Sequence, residues 1–232
     1  MDIIVKLNEQ TSGRDKIIRL LQYGSRAGWY YMQSAENTRR SVDVLRSLEY
    51  TFSSFRKLLR FGRFLDSLYS ALKLMKYPDL TIRVTLILAK ISNALFLLAD
   101  HIIWLGRVGI TRVNIEKWSH TANKYWLMSI IMNLSRDFYE ILKILEYENK
   151  ATLSRNTVFS KYNTFKQFGA ICLRDHKEIL MDTARNGCDL FIPLTALGYT
   201  KLTPGTIGML GLLSSMIGLY TIVYPFYKLT PS

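Results

Sequence analysis

Cysteine is almost missing from this chain. Cys172 and Cys188 stand sixteen positions apart and form neither a C-x-x-C pair nor a disulfide framework. Both read as small buried residues in a reducing compartment. Histidine is nearly as scarce, and no metal-ligand spacing joins His101, His120 or His176 to either cysteine, so no metal site is expected. Pro78 is the only proline before Pro193. The hydrophobic spacing is mostly of helical period, so few strands are expected. There is no P-loop. Gly205, Gly208 and Gly211 recur every third residue rather than as G-x-G-x-x-G, and follow no strand, so no dinucleotide site is implied. No catalytic residue and no cofactor is expected, and the chain does not read as an enzyme.

Acid is short as well. Thirty-one Lys and Arg face 18 Asp and Glu, a net charge of +13. That surplus fits an anionic partner, either lipid headgroups or nucleic acid. The start, Met1-Asp2-Ile3-Ile4-Val5-Lys6, lacks the pattern of a secretory signal, and Glu9 and Asp15 argue against a mitochondrial presequence. The end, Leu229-Thr230-Pro231-Ser232, carries neither a peroxisomal matrix tripeptide nor an ER-retention tail.

The largest absence is charge near the C-terminus. None occurs from Leu202 to Tyr227, a run bracketed by Lys201 and Lys228. Its core, Ile207 to Tyr227, is roughly 31 Å long as helix, about the thickness of a bilayer core. It reads as a membrane span that enters its membrane after synthesis, with most of the chain already in the cytosol. Given a span, lipid is the simpler anionic partner. A soluble nucleic-acid binder would have no use for it, and no nucleic acid is expected.

The fold class expected is all-α: membrane-associated helices, several of them amphipathic, and one C-terminal transmembrane helix. Residues 1–147 form the main helical region. Its first helix starts at Ser12 with Asp15 in a capping box. A second stretch runs from Glu36 to Tyr77, with a break placed near Thr51 to Ser54, and Tyr77-Pro78-Asp79 ends it. Residues 81–106 are apolar but carry Arg83, Lys90, Asp100 and His101, which suggests a segment that does not cross the bilayer centre. Gly106 to Gly109 is a turn, and a long helix follows from Ile115 to Glu148. Residues 148–164 read as a polar linker, 165–192 as a helix, 193–205 as a hinge and 206–228 as the transmembrane helix, opened by Thr203-Pro204. Asn133-Leu134-Ser135 fits a glycosylation pattern but lies on an apolar helix with no secretory signal, so chance explains it.

Within residues 53–77 one helix face holds Leu58, Phe61, Phe64, Leu65, Leu68, Tyr69 and Leu72. Arg56, Arg60 and Arg63 lie opposite, with Lys57 at the boundary. Such a helix fits the headgroup plane, apolar face down and cations toward anionic phosphates. By period alone a helix in a soluble bundle with a solvated basic face is the more common case; the nearby span shifts the reading toward the membrane. In the terminal span, Gly211 and Ser215, and Ser214 and Gly218, are four apart. That spacing allows close helix approach and so self-association, although glycine is common in spans generally.

These residues carry a resemblance. Arg14-Asp15-Lys16-Ile17-Ile18-Arg19-Leu20-Leu21-Gln22-Tyr23 and Arg56-Lys57-Leu58-Leu59-Arg60 resemble the N-terminal blocks of the peroxin-11 family, peroxisomal membrane proteins of division and proliferation. Met132-Asn133-Leu134-Ser135-Arg136-Asp137, Cys188-Asp189-Leu190-Phe191-Ile192-Pro193-Leu194 and the Pro204 to Pro225 segment extend it over essentially the whole chain, closest to the animal alpha/beta branch. The resemblance implies residence in the peroxisomal membrane, most of the chain facing the cytosol, and a role in peroxisome elongation, proliferation and fission. It implies amphipathic helices that bind anionic phospholipid membranes, homo-oligomers, recruitment of fission adaptors and a dynamin-related GTPase, and an import chaperone for peroxisomal membrane proteins. Some members are proposed to form a metabolite pore; here that would need residues 81–106 to cross, with Lys90 and Asp100 lining the path. Two departures stand out. The linker lacks a glycine-rich insertion, and the tail has only Lys228 where some relatives end in two lysines, which puts coat-protein recruitment in doubt.

Overall fold

The computed structural model describes residues 10–33, 39–153, 176–224 and 229. All its regular elements are helices: α1 (Thr11–Met32), α2 (Arg39–Leu59), α3 (Arg63–Leu74), α4 (Leu80–Val108), α5 (Ile115–Leu153), α6 (Lys177–Ala196) and α7 (Pro204–Val223).

Local chemistry sets most boundaries. Gly62 takes φ 80°, a left-handed conformation that costs glycine little, and divides α2 from α3. The break therefore falls at residues 60–62, not near Thr51 to Ser54. Asp79 caps α4 by accepting hydrogen bonds from the amides of Thr81 and Ile82, and Gly109 ends it at φ 85°. Thr203 accepts from the amide of Thr206, with Pro204 next, so α7 starts as its sequence reads. Asp15 caps nothing: α1 begins one residue earlier, after Gln10, without a side-chain cap, and the Asp15 carboxylate is spent elsewhere. Two segments are longer than their sequence suggests. Helix α5 continues to Leu153 into the expected linker, and α6 carries Pro193 within it and reaches Ala196, so the hinge shortens to residues 197–203. The rest of the linker, the start of the helix expected at 165, Cys172 and Pro225 to Lys228 lie outside the described residues.

The helix pairings form a closed ring. Helix α1 packs on α2 and α7, α7 on α6, α6 on α5, α5 on α4, and α4 on α3 and α2. Small apolar clusters seal the seams. Tyr23, Ile192 and Ile207 meet beside Trp126. Leu74, Ile82 and Leu86 meet beside Tyr139, and Ala99, Ile103 and Ala122 beside Trp118.

The outward faces of α4 and α7 are apolar, while α2 and the start of α5 also expose charges such as Arg39, Arg40, Asp43, Glu116 and Lys117. Helix α4 exposes Leu80, Val84, Leu88, Ile91, Leu95 and Leu98, a stripe at steps of three and four, and α7 exposes Met209, Leu213, Met216 and Tyr220. Both helices are long and apolar enough to cross a membrane. Their lengths, 29 and 20 residues, correspond to about 43 and 30 Å. What faces inward is often charged: Asp15, Arg19, Arg56, Asp100, Arg136, Asp137 and Asp189 are all buried. A water-soluble domain arranges these groups the other way round. Inward-turned charges beside two helices with apolar outer faces suit a protein of which α4 and α7 contact lipid.

Candidate functional site

The ring encloses a cavity of about 520 Å³ whose wall is dominated by cations. Its polar residues come from stripes at helical spacing. On α1, Asp15, Arg19, Gln22 and Arg26 follow at steps of four, three and four; on α4, Asn93, Asp100 and Arg107 are seven apart. Arg56, Lys57 and Arg60 enter from α2 and the turn after it, Arg63 from α3, and Arg185 and Asp189 from α6.

Asp15 and Asp100 organise one side. Arg56 Nε donates to Asp15 Oδ1 at 3.0 Å, and Arg56 Nη1 to Gln22 Oε1 at 2.8 Å. Arg60 reaches Asp15 at 3.7 Å and Asp100 Oδ2 at 2.7 Å, and Lys57 also pairs with Asp100. Burial pushes the Asp15 carboxyl up, but the guanidinium groups of Arg56 and Arg60 outweigh it and hold the group well below the usual carboxylate range. His101 Nε2 lies 3.0 Å from the carbonyl oxygen of Arg60, which can only accept, so that nitrogen carries the hydrogen. Of the ionisable residues in the apolar segment, Asp100 and His101 are thus turned away from the outer face of α4, while Arg83 and Lys90 are only half-buried.

Across the cavity, Arg19 forks onto Asp189 of α6, with Nη1 3.2 Å from Oδ2 and Nη2 bonded to Oδ1. Arg26 pairs with Glu49 at 2.8 Å, and Arg107 donates to the Ser54 hydroxyl at 2.8 Å and lies 4.7 Å from the Tyr50 ring centre. Lys16 has its ammonium beside Gly218 of α7. Burial, then Arg19 and Arg185, push its pKa down to about 7, against the opposing pull of Asp189 and Asp15. A second buried knot joins α5 to α6: Arg136 binds Asp137 at 2.7 Å and also Asp182, while Asn186 donates to both acids at 3.2 Å. Burial and the neighbouring Asp182 raise the Asp137 carboxyl, with Arg136 opposing. Among the described residues, no group of three His, Cys, Asp or Glu side chains could hold a metal ion.

The expected site residues part company here. Leu58, Phe61, Leu65, Leu68, Tyr69 and Leu72 are exposed on the outside of the ring, as an inserting face requires. Phe64 is half-buried, its ring edge-on to His101. Arg56, Lys57 and Arg60, expected to meet lipid phosphates, instead face the cavity and bind Asp15 and Asp100, and Arg63 also lines it. Their placement is corrected: the wheel locates an opposite face, but α1 and α4 cover it, so these cations are turned into the bundle rather than toward the headgroup plane. Gly211, Ser215 and Gly218, expected to join two copies, are buried. Gly211 lies against the Tyr23 ring and Gly218 against Lys16; between them and α1 there is no room for a second chain. Their small size serves packing within the chain. Lys90, expected beside Asp100 along a path, does not line the cavity. Asp15, Lys16, Arg19, Arg107 and Asp189 were not expected from sequence as site residues. The signal was present in the polar stripes on otherwise apolar helices.

The model of the family described as Peroxisomal biogenesis factor 11 matches residues 1–223. The chain is 32% identical over 259 residues to peroxisomal membrane protein 11B of Homo sapiens, with 100% of each covered. It is 31% identical over 243 residues to peroxisomal membrane protein 11A of Mus musculus, with 99% of each covered. A peroxisomal membrane protein 11 homolog of Dictyostelium discoideum is 26% identical over 240 residues, covering 95% of this chain and 93% of that one. No solved structure matches the chain.

Proposed function

This chain belongs to the Peroxisomal biogenesis factor 11 family and is a peroxisomal membrane protein, and from that premise we propose that it remodels the peroxisomal membrane, promoting elongation, proliferation and fission. The observation that carries the reading is the apolar face of α2 and α3, exposed from Leu58 to Leu72 and bent at Gly62. Half-inserted into one leaflet, that face would expand it and curve the membrane. In this reading α7 anchors the chain, most of which faces the cytosol. Copies associate through their outer apolar faces, since the small-residue face of α7 is taken by α1. Recruitment of fission adaptors and a dynamin-related GTPase is part of the proposal and rests on the family resemblance.

A second reading, a channel for small metabolites, is favoured by one observation: a closed ring of helices around a charged cavity. One experiment separates the two. Purified protein is added to anionic liposomes, which are imaged while ion flux is recorded. Tubes without flux support remodelling, and flux without tubes supports the channel. Intact, unleaky, spherical liposomes defeat both.

A further inference from the structure

The charges around the cavity do not balance. Nine cations line it against Asp15, Asp100 and Asp189. Glu49 and Asp182, which pair with Arg26 and Arg185 at its edge, bring the acids to five and leave four basic groups in excess, three of them besides Lys16, whose pKa of about 7 leaves it only partly charged at neutral pH. The excess can be located. Lys16, Arg63 and Arg107 form no ion pair with a carboxylate among the described residues, and three cations, Arg56, Lys57 and Arg60, share Asp15 and Asp100. Arg19 supplies an independent sign. Its side chain is 6% exposed, and its Nε, buried in the cavity wall, has no hydrogen-bond partner although both Nη groups bind Asp189.

Burying charge without compensation is costly, and a guanidinium cannot escape the cost by losing its proton. Within an apolar shell the surplus also focuses a strong positive field on the cavity. A mobile anion resolves both problems. A halide would satisfy only part of the charge and leave most of 520 Å³ to water. A phosphate carries up to two charges and several acceptor oxygens, which match the donor fork of arginine.

We propose that the cavity between α1, α2, α4 and α6 is a binding site for a phosphate dianion, carried either by a soluble phosphate compound or by a phosphomonoester lipid headgroup. Lys16 and Arg107 are free to meet it, because neither is needed to neutralise a carboxylate. The site is separate from the apolar face of α2 and α3, so remodelling does not depend on it.

The test uses the full chain in phosphatidylcholine nanodiscs, titrated with inorganic pyrophosphate and, as control, with sodium chloride at equal ionic strength. Binding is followed by calorimetry and by the thermal unfolding midpoint. Pyrophosphate is expected to bind saturably and raise the midpoint, and chloride to do neither. Lys16→Gln and Arg107→Gln should each weaken pyrophosphate about tenfold, the size of one lost charge-assisted contact. Neither strands a carboxylate, so both should unfold without anion within a few degrees of the parent. Discs containing phosphatidic acid identify the source: lost pyrophosphate binding means that the headgroup occupies the site, and unchanged binding means a soluble phosphate. The proposal falls if pyrophosphate shows no saturable binding, if chloride reproduces its effect, or if both variants bind it as tightly as the parent.

Discussion

Arg19 and Asp189, 170 residues apart in the chain, bind each other at two points inside the ring and tie α1 to α6. Both are buried. Removing one partner of such a pair leaves an uncompensated charge and costs about 3–5 kcal/mol, whereas replacing both with apolar groups is often nearly neutral. Asp189→Leu should therefore lower the unfolding midpoint in detergent sharply. Arg19→Met together with Asp189→Leu should recover most of the loss. Strictly additive losses in that double-mutant cycle would mean that the two side chains do not interact.

The fit of α1 against α7 depends on glycine. A Cβ at Gly208 would lie 2.7 Å from the Ala27 backbone nitrogen, and one at Gly211 would collide with the Tyr23 ring. Gly208→Val should cost about 1–3 kcal/mol or more by overpacking. Gly187, inside α6, is the contrast: a Cβ there meets nothing within 4 Å. Gly187→Ala should stabilise the protein by about 0.5–1 kcal/mol through better helix propensity. Chemical denaturation of both variants checks the opposite signs.

Lys16 makes stability depend on pH. Its pKa is about 7 when folded, below the usual lysine value near 10.4 when unfolded. Between those values the unfolded chain binds more protons, so stability should rise with pH from about 7 to 10, by at most about 1.4 kcal/mol per pH unit. Lys16→Gln should flatten that slope and leave stability at neutral pH equal or higher. Asp15 acts at the other end. Its pKa is depressed when folded, so its contribution is present above the ordinary carboxylate range and is lost as the medium becomes strongly acid. Melting curves across pH read both effects.

The apolar and basic residues of α2 and α3 should separate cleanly. Leu58, Leu65 and Leu72 are 43%, 59% and 60% exposed, so changing all three to Asp should spare the fold and abolish tubulation of anionic liposomes. Each leucine withdrawn from the apolar phase forfeits roughly 1.5–3 kcal/mol of membrane affinity. Changing Arg56, Lys57 and Arg60 to Ala should do the reverse of what a surface role requires. It strips Asp15 and Asp100 of their partners and should destabilise the protein by several kcal/mol, on the scale of a broken buried pair. Circular dichroism alongside electron microscopy of the liposomes distinguishes loss of fold from loss of insertion.

Sequence alone determined what local physics determines. The scarcity of proline and the helical period of apolar residues made the chain all-α. Thr203-Pro204 marked a helix start because capping is settled within a few residues, whereas the turn expected from Gly106 to Gly109 begins only at Gly109. The uncharged run from Leu202 marked a helix able to cross a membrane because length and composition suffice for that. Tertiary structure decided what each face meets. The wheel of residues 53–77 gives two faces, but only packing against α1 and α4 shows that the cations point inward and the leucines outward. Arg56 finds Asp15 41 positions away, Lys57 finds Asp100 43 positions away, and Arg19 finds Asp189 170 positions away. Periodicity reports that a face exists and carries no record of its partner. The same limit applies to Gly211 and Gly218, whose small size signals a close neighbour without saying that the neighbour is α1 of the same chain rather than a second copy.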